Sequence, residues 1–239
     1  MTPPKSWIVP LIRPKSRMAA HANYLNFNAE VDKQNTTLDF EDVQEDRVAC
    51  YFHTGGTTGM PKVAQHKYSG MIYNGWVGAE VLLSEEDNLL CPLPLFHVMA
   101  CHVILMGAVA SGAHVIFPTP QGYRGEGVFD NIWKLTERWK ITFIVSVPTA
   151  LSAMMQRPID ADISTVKTTF SGSAPLPLEL FKRYEEATGV SIVEGYGMTE
   201  ATCLVSGNPV DGVKKVGSIG IPFPYADVRI IKQTNDGPM

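Results

Sequence analysis

From residue 48 onward, short runs of apolar residues alternate along the chain with longer stretches whose apolar positions recur every three or four residues. Short, bounded apolar runs read as buried strands, and the longer periodic stretches read as helices. On that reading strands cover residues 48–52, 88–91, 114–117, 141–147, 165–170 and 191–194, and helices cover 67–82, 97–109, 128–139, 149–155 and 178–188. Helix starts carry their own signals: Pro148 precedes Thr149, and Pro175 and Pro177 lead into Leu178. The alternation predicts an α/β fold, a mainly parallel sheet flanked by helices.

Character changes at both ends. Residues 1–46 form an arm and linker: a Pro-rich start carries Lys5, Arg13, Lys15 and Arg17, and an acidic run from Asp39 to Asp46 reads as a solvated lead into the first strand. Residues 47–205 form the α/β core. Residues 206–239 turn to Gly, Pro and Val, with a strand expected over 226–231, and read as the start of a β-rich subdomain. The closing stretch from Thr234 to Met239 is rich in turn residues of the kind that lead into a further strand, so a truncated chain is expected.

Composition narrows the function. With 239 residues, 45% hydrophobic and 18% charged, the chain buries a substantial core. A net charge of -4 without a basic cluster excludes nucleic acid and an anionic membrane surface as main partners, which leaves small molecules. Cys50, Cys91, Cys101 and Cys203 are scattered within apolar segments, as reduced thiols of a cytoplasmic protein are. The apolar run Trp7–Ile12 is too short and too interrupted by proline for a signal-peptide core. Between Leu89 and Gln121 there is no Asp, Glu, Lys or Arg, yet His97, His102, His114 and several Gly and Pro residues break that run, so no transmembrane segment is expected.

Candidate chemistry lies in two stretches. Thr54-Gly55-Gly56-Thr57-Thr58-Gly59-Met60-Pro61-Lys62 follows the first strand, and strand, loop, helix is the expected geometry. Glycines let backbone N–H groups turn toward an anion, threonines add hydroxyl donors, and Lys62 adds a full charge: a phosphate cradle. The pattern G-x-x-x-x-G-K-[ST] does not fit, because Met60 and Pro61 separate Gly59 from Lys62 and Val63 follows. The second stretch, Gly195-Tyr196-Gly197-Met198-Thr199-Glu200, leaves the end of the last predicted strand. A dinucleotide fingerprint needs glycine where Glu200 stands, whereas a carboxylate beside a threonine suits Mg²⁺ bridged to phosphate. His97 and Cys101 lie one helical turn apart with His102 nearby, but no further Cys or His pair in sequence completes a tetrahedral metal set, so a core helix is expected there. No Gly-x-Ser-x-Gly elbow is present.

Together the two stretches resemble the adenylate-forming superfamily: acyl-CoA synthetases, firefly luciferase and the adenylation domains of peptide synthetases. The family's loop, Thr-Ser-Gly-Thr-Thr-Gly-x-Pro-Lys-Gly, is matched by Thr54 to Lys62, with Gly55 for Ser and Val63 for the last Gly. Its Tyr-Gly-x-Thr-Glu element is matched by Tyr196 to Glu200, and Ser171-Gly172-Ser173-Ala174-Pro175 is similar to its adenine-side loop. Val147-Pro148-Thr149 is a further landmark. The resemblance implies that Tyr196 stacks on adenine, Thr199 bonds the α-phosphate, Glu200 holds Mg²⁺, and Lys62 joins Thr199 and Glu200 in catalysis.

Where amino-acid-activating relatives carry Phe-Asp, this chain reads Phe96-His97-Val98. That implies an acyl pocket for a carboxylic acid without an α-ammonium group. ATP, Mg²⁺ and CoA are the implied cofactor set, the implied substrate is a fatty acid, and a homodimer stays open. The family's ribose-binding Asp and C-terminal catalytic Lys are not in this sequence, so the chain alone is expected to be inactive. A non-catalytic nucleotide-binding fragment and an aryl-CoA ligase or luciferase-like enzyme are the alternatives.

Overall fold

A computed structural model of the protein describes residues 27–37, 45–54, 62–231, 233–234 and 237–238. Two compact units are present, Met1–Gln44 and Glu45–Met239. In the first, the short helix α1 (Phe27–Val31) is the regular element among the described residues.

The second unit is built on a seven-stranded sheet in the order β4-β3-β5-β6-β7-β8-β9. Its strands are β3 (Asn88–Leu90), β4 (His114–Ile116), β5 (Phe143–Ser146), β6 (Thr168–Ser171), β7 (Ile192–Met198), β8 (Cys203–Gly207) and β9 (Ile221–Pro222). The first five run parallel, and β8 and β9 add antiparallel strands at one edge. All four residues of β5 are buried, which is why its apolar run is continuous and not alternating.

Alternate residues of each strand point to opposite faces and feed two separate cores. On one face Leu89, Phe143, Val145, Phe170 and Val193 pack against the helical layer of α2 (Tyr68–Val77), its π-helical extension Gly78–Leu82, a π-helical stretch Met99–Leu105 and α3 (Met106–Ser111). On the other, Leu90, Ile144 and Ile192 pack against α4 (Ile132–Arg138), α5 (Pro148–Met154) and α6 (Leu178–Thr188). The α/β architecture expected from the pattern is present, as a sheet between two helical layers.

Two local expectations are corrected. Residues 48–52 do not join the parallel sheet: β1 (Val48–Thr54) pairs antiparallel with β2 (Lys62–Lys67) in a separate two-stranded ribbon. The Gly/Thr loop therefore connects strand to strand, and the helix starts only at Tyr68. The reason is cross-strand pairing: the backbone groups of residues 62–67 are satisfied by β1, and His66 is buried from β2. The strand expected over 226–231 does not form either, and β9 is the last strand of the large sheet. Among the described residues no helix is long and apolar enough to cross a membrane.

Candidate active site

The carboxyl ends of β6 and β7 make the centre of the site. Ser171 pairs with Glu194, which sets Gly172-Ser173, where the chain leaves β6, beside Gly195-Tyr196, where β7 passes from pairing with β6 to pairing with β8. Close backbone approach explains the glycines: a Cβ on Gly195 would lie 2.3 Å from Cζ of the buried Phe170 ring, and one on Gly172 would lie 3.2 Å from the Gly195 carbonyl oxygen. Ser173 takes a left-handed conformation, φ 69°, at the first turn of the loop. The Glu194 carboxylate then ties the neighbouring loops together, accepting the backbone N–H of Gly217 at 2.9 Å and of Leu176 at 3.4 Å. Sequence reasoning placed Glu194 only as the end of a strand.

These elements enclose a cleft of about 140 Å³ lined by His97, Gly172, Ser173, Gly195, Tyr196 and Thr199, with Val98, Gly197 and Met198 also on its wall. Residues expected from three separate stretches of sequence thus meet at one place. Ala174 and Pro175 continue the loop beyond Ser173 as exposed residues outside this lining, and Glu200 is exposed on the 3₁₀ turn Thr199–Ala201 next to it. The β1–β2 ribbon packs on that same turn. At its open end Thr54 is paired with Lys62, and the Thr54 hydroxyl donates to the Lys62 carbonyl at 3.4 Å. The remaining cradle positions Gly55, Gly56, Thr57, Thr58 and Gly59 lie outside the described residues.

A larger cavity, about 870 Å³, opens next to the cleft at the carboxyl ends of β3 and β5. From β3 the chain goes to β4 on one side and returns to β5 on the other, so this is where the strand order reverses, the usual ligand position in open α/β sheets. Its walls are mainly apolar, with Leu93, Phe96, Phe129, Val147, Ala150 and Ala153 among them, and among the described residues no carboxylate lines it. His97 lines both spaces. Phe96 faces only the larger one, and Val98 is buried at the wall of the smaller.

His97 also starts a helix: its Nδ1 accepts the Met99 backbone N–H at 3.3 Å, which leaves Nε2 to carry the proton of the neutral ring. Partial burial, with His53 as a second cause, holds its pKa below the ordinary histidine value. Helix start and cavity wall coexist in this one residue.

Beneath the Thr199 turn lies a cluster that sequence reasoning did not assemble. His66 and His102 are buried, with His66 Nδ1 2.8 Å from His102 Nε2, and His66 Nε2 donates to the Thr199 carbonyl at 2.7 Å. Burial, and next the neighbouring His66, pull His102 down to about 4. A signal was present: Cys50 and His66 are equidistant from Thr58, and reading the loop as a hairpin pairs them across the ribbon, as observed.

An open α/β sheet with glycine-lined loops gathered at the carboxyl ends of its strands defines a nucleotide- and small-molecule-binding domain. The pattern of the AMP-binding enzyme family matches residues 11–239, and the chain belongs to that family. Curated relatives include a marinolic acid–CoA ligase of Pseudoalteromonas sp. (strain SANK 73390), 35% identical over 89% of this chain and 34% of the relative. A long-chain-fatty-acid–CoA ligase of Bacillus subtilis (strain 168) is 30% identical over 79% of this chain and 34% of its own length. Among solved structures, the anthranilate CoA ligase AuaEII in complex with anthranoyl-AMP aligns with a TM-score of 0.76 at 27% identity, over 92% of this chain and 42% of that one. ATP-bound MatB from Rhodopseudomonas palustris aligns with a TM-score of 0.78 at 25% identity, over 89% and 41%. The chain spans about a third of the length of the curated relatives it matches.

Proposed function

We propose that this chain carries the nucleotide and acid sites of an AMP-forming acid–CoA ligase. The supporting observation is the junction at His97, where a glycine-lined cleft at the ends of β6 and β7 meets an apolar cavity at the reversal of strand order. A carboxylate is a poor acyl donor because its leaving group is oxide. Attack of a carboxylate oxygen on the α-phosphorus of ATP forms an acyl–phosphate bond, breaks the bond to pyrophosphate and makes AMP the leaving group. CoA thiol then attacks the acyl carbon, losing its proton as AMP departs.

Each residue has a role on this reading. Tyr196, half-exposed on the cleft wall, offers its ring to adenine, and Gly172 and Ser173 border the same space. Thr199 offers its hydroxyl to the α-phosphate, and Lys62 at the root of the hairpin loop faces the phosphates. The Nε2–H of His97 points the acid's carboxylate from the apolar cavity toward the cleft. The cavity's mainly apolar walls, with no acidic residue among the described residues, favour an aliphatic acid.

Mg²⁺ fits the donor set: the exposed carboxylate of Glu200 makes no hydrogen bond or ion pair among the described residues and is a hard oxygen ligand. When bound, the ion neutralises charge on the phosphates. Positioning and electrostatics then account for most of the catalysis.

The test is pyrophosphate exchange with a panel of aliphatic, aryl and amino acids, using the full protein that contains this chain, beside nucleotide binding by the chain alone. The expected result is exchange stimulated by aliphatic acids in the full protein, ATP binding by the chain alone, and no measurable exchange by it. Absence of ATP binding by both would refute the reading, and exchange with aryl acids alone would replace the aliphatic assignment.

A further inference from the structure

The β1–β2 ribbon brings to the His97–Ser111 helical segment the ligands that the helix lacks in sequence. Cys50 and His66 are directly opposite each other across the ribbon, and His102 faces them from Met99–Leu105. Sγ of Cys50, a ring nitrogen of His66 and one of His102 all lie within 4.8 Å of one another. Met71 adds a thioether, its Sδ 3.5 Å from Cys50 Sγ. We infer that Cys50, His66 and His102, with Met71 alongside, form a binding site for a thiophilic monovalent cation, Cu⁺.

Four observations carry this. The Thr199 carbonyl can only accept, so Nε2 of His66 holds the ring proton and its Nδ1 lone pair accepts the Nε2–H of His102 in the metal-free protein. An ion held by both nitrogens replaces that hydrogen bond and moves the His102 proton to its Nδ1, a buried nitrogen with no partner among the described residues. A ligating histidine typically has its other nitrogen anchored to a carbonyl in this way. Distances are close to those of a bound ion: ligand bonds of about 2.3 Å to sulfur and about 2.1 Å to nitrogen place S and N about 3.6 Å apart and the two N about 3.4 Å apart. The observed separations are 4.0 Å from Cys50 Sγ to His102 Nε2 and 2.8 Å between the imidazole nitrogens, so side-chain adjustments of about half an ångström suffice.

The set is soft, one thiolate and one thioether beside two imidazoles, which selects copper(I) over hard cations. Charge selects it too: one thiolate and two neutral imidazoles with Cu⁺ give a neutral centre, whereas Zn²⁺ leaves a buried unit charge. Binding releases the Cys50 thiol proton to solvent and involves no change of oxidation state. The bound ion would clip the ribbon onto the helix beneath the Thr199 turn.

The experiment is titration of the purified chain with Cu⁺, under anaerobic reducing conditions, against a chromophoric Cu⁺ chelator, with Zn²⁺ in a parallel arm. Cys50→Ser, His102→Gln and Cys101→Ser are compared with the parent, and circular dichroism checks that each is folded. Expected are one Cu⁺ per chain, at least tenfold weaker binding in Cys50→Ser and His102→Gln, unchanged binding in Cys101→Ser, and Zn²⁺ bound more weakly than Cu⁺. In the unmutated chain Cu⁺ should also slow iodoacetamide alkylation of Cys50, which keeps the test decisive if a variant fails to fold. No stoichiometric Cu⁺ binding, binding that persists in both ligand variants, loss in Cys101→Ser, tighter binding of Zn²⁺, or Cys50 alkylated equally fast with and without Cu⁺ would each overturn the assignment. None of these readouts depends on acid activation.

Discussion

Replacing Gly195 by alanine puts the tightest point of the site under direct test. The added Cβ would lie 2.3 Å from Cζ and 2.8 Å from Cε2 of Phe170, about an ångström short of the 3.4 Å at which ordinary contact begins. Phe170 is only 2% exposed and stacks on Phe143 at 6.5 Å between ring centroids, so its ring can yield only toward the cleft that it lines. Either the ring moves into the nucleotide cleft or strand β7 shifts. Overpacking of this kind costs about 1–3 kcal/mol, which for a chain of this size lowers the melting temperature by about 2–12 °C.

The mechanism also specifies a suppressor. Phe170→Leu removes the ring atoms that the new methyl group meets and by itself costs about 1–2 kcal/mol for the volume lost. Joined to Gly195→Ala, it should recover about 1–2 kcal/mol relative to the sum of the two single changes. Denaturant unfolding of the parent, both single variants and the double variant measures that coupling. A Gly195→Ala chain as stable as the parent, or a double variant whose loss equals the sum, would refute the packing argument. Because Tyr196 follows Gly195 directly, the single variant should also bind nucleotide more weakly, and the suppressor should restore part of that binding.

Alkaline stability should reveal Tyr184, which is fully buried, shares a 2.8 Å hydrogen bond with Thr169, and is pushed by burial up to about 12. Between about pH 10 and pH 12 the unfolded chain has released this phenolic proton and the folded chain retains it, so stability falls as pH rises, by up to about 3 kcal/mol. Tyr184→Phe should cost about 1 kcal/mol at neutral pH and flatten the loss above pH 10, which chemical denaturation across pH checks; an unchanged alkaline slope would sink the assignment. Leu151→Ala, at a fully buried position of α5, should destabilise by about 2–5 kcal/mol, read as a melting temperature lower by about 4–20 °C. In the full protein, Glu200→Gln should raise the Mg²⁺ concentration for half-maximal pyrophosphate exchange at least tenfold with the fold intact, and an unaltered Mg²⁺ dependence would remove Glu200 from that role. His97→Asp should reduce exchange with aliphatic acids by placing a carboxylate beside the substrate's own, and full retention of that exchange would take His97 out of the acid site.

Local sequence carried the elements of the α/β core because burial imposes a period. A strand buried on both faces reads as a continuous apolar run, as residues 143–145 do, and α6, whose expected and observed limits coincide, sets Phe181 and Tyr184 on its core side while Glu179, Lys182 and Glu186 stay outside. The glycines at 172 and 195 stood in the singled-out motifs for a related reason: close backbone approach at adjoining strands demands them. Pairing was not legible in the same way. Whether the chain goes from the Gly/Thr loop to a helix or first returns as a strand over residues 62–67 depends on β1 offering its backbone across the loop, a contact that no local period records. The same ribbon carries Cys50 and His66 to His102, and the neighbouring order of β6 and β7 sets Gly172 against Gly195, so the cluster and the cleft exist only once the tertiary contacts are made. A single sequence encodes which residues want burial or a tight turn; which of them meet is decided by the packing that satisfies all of those demands together.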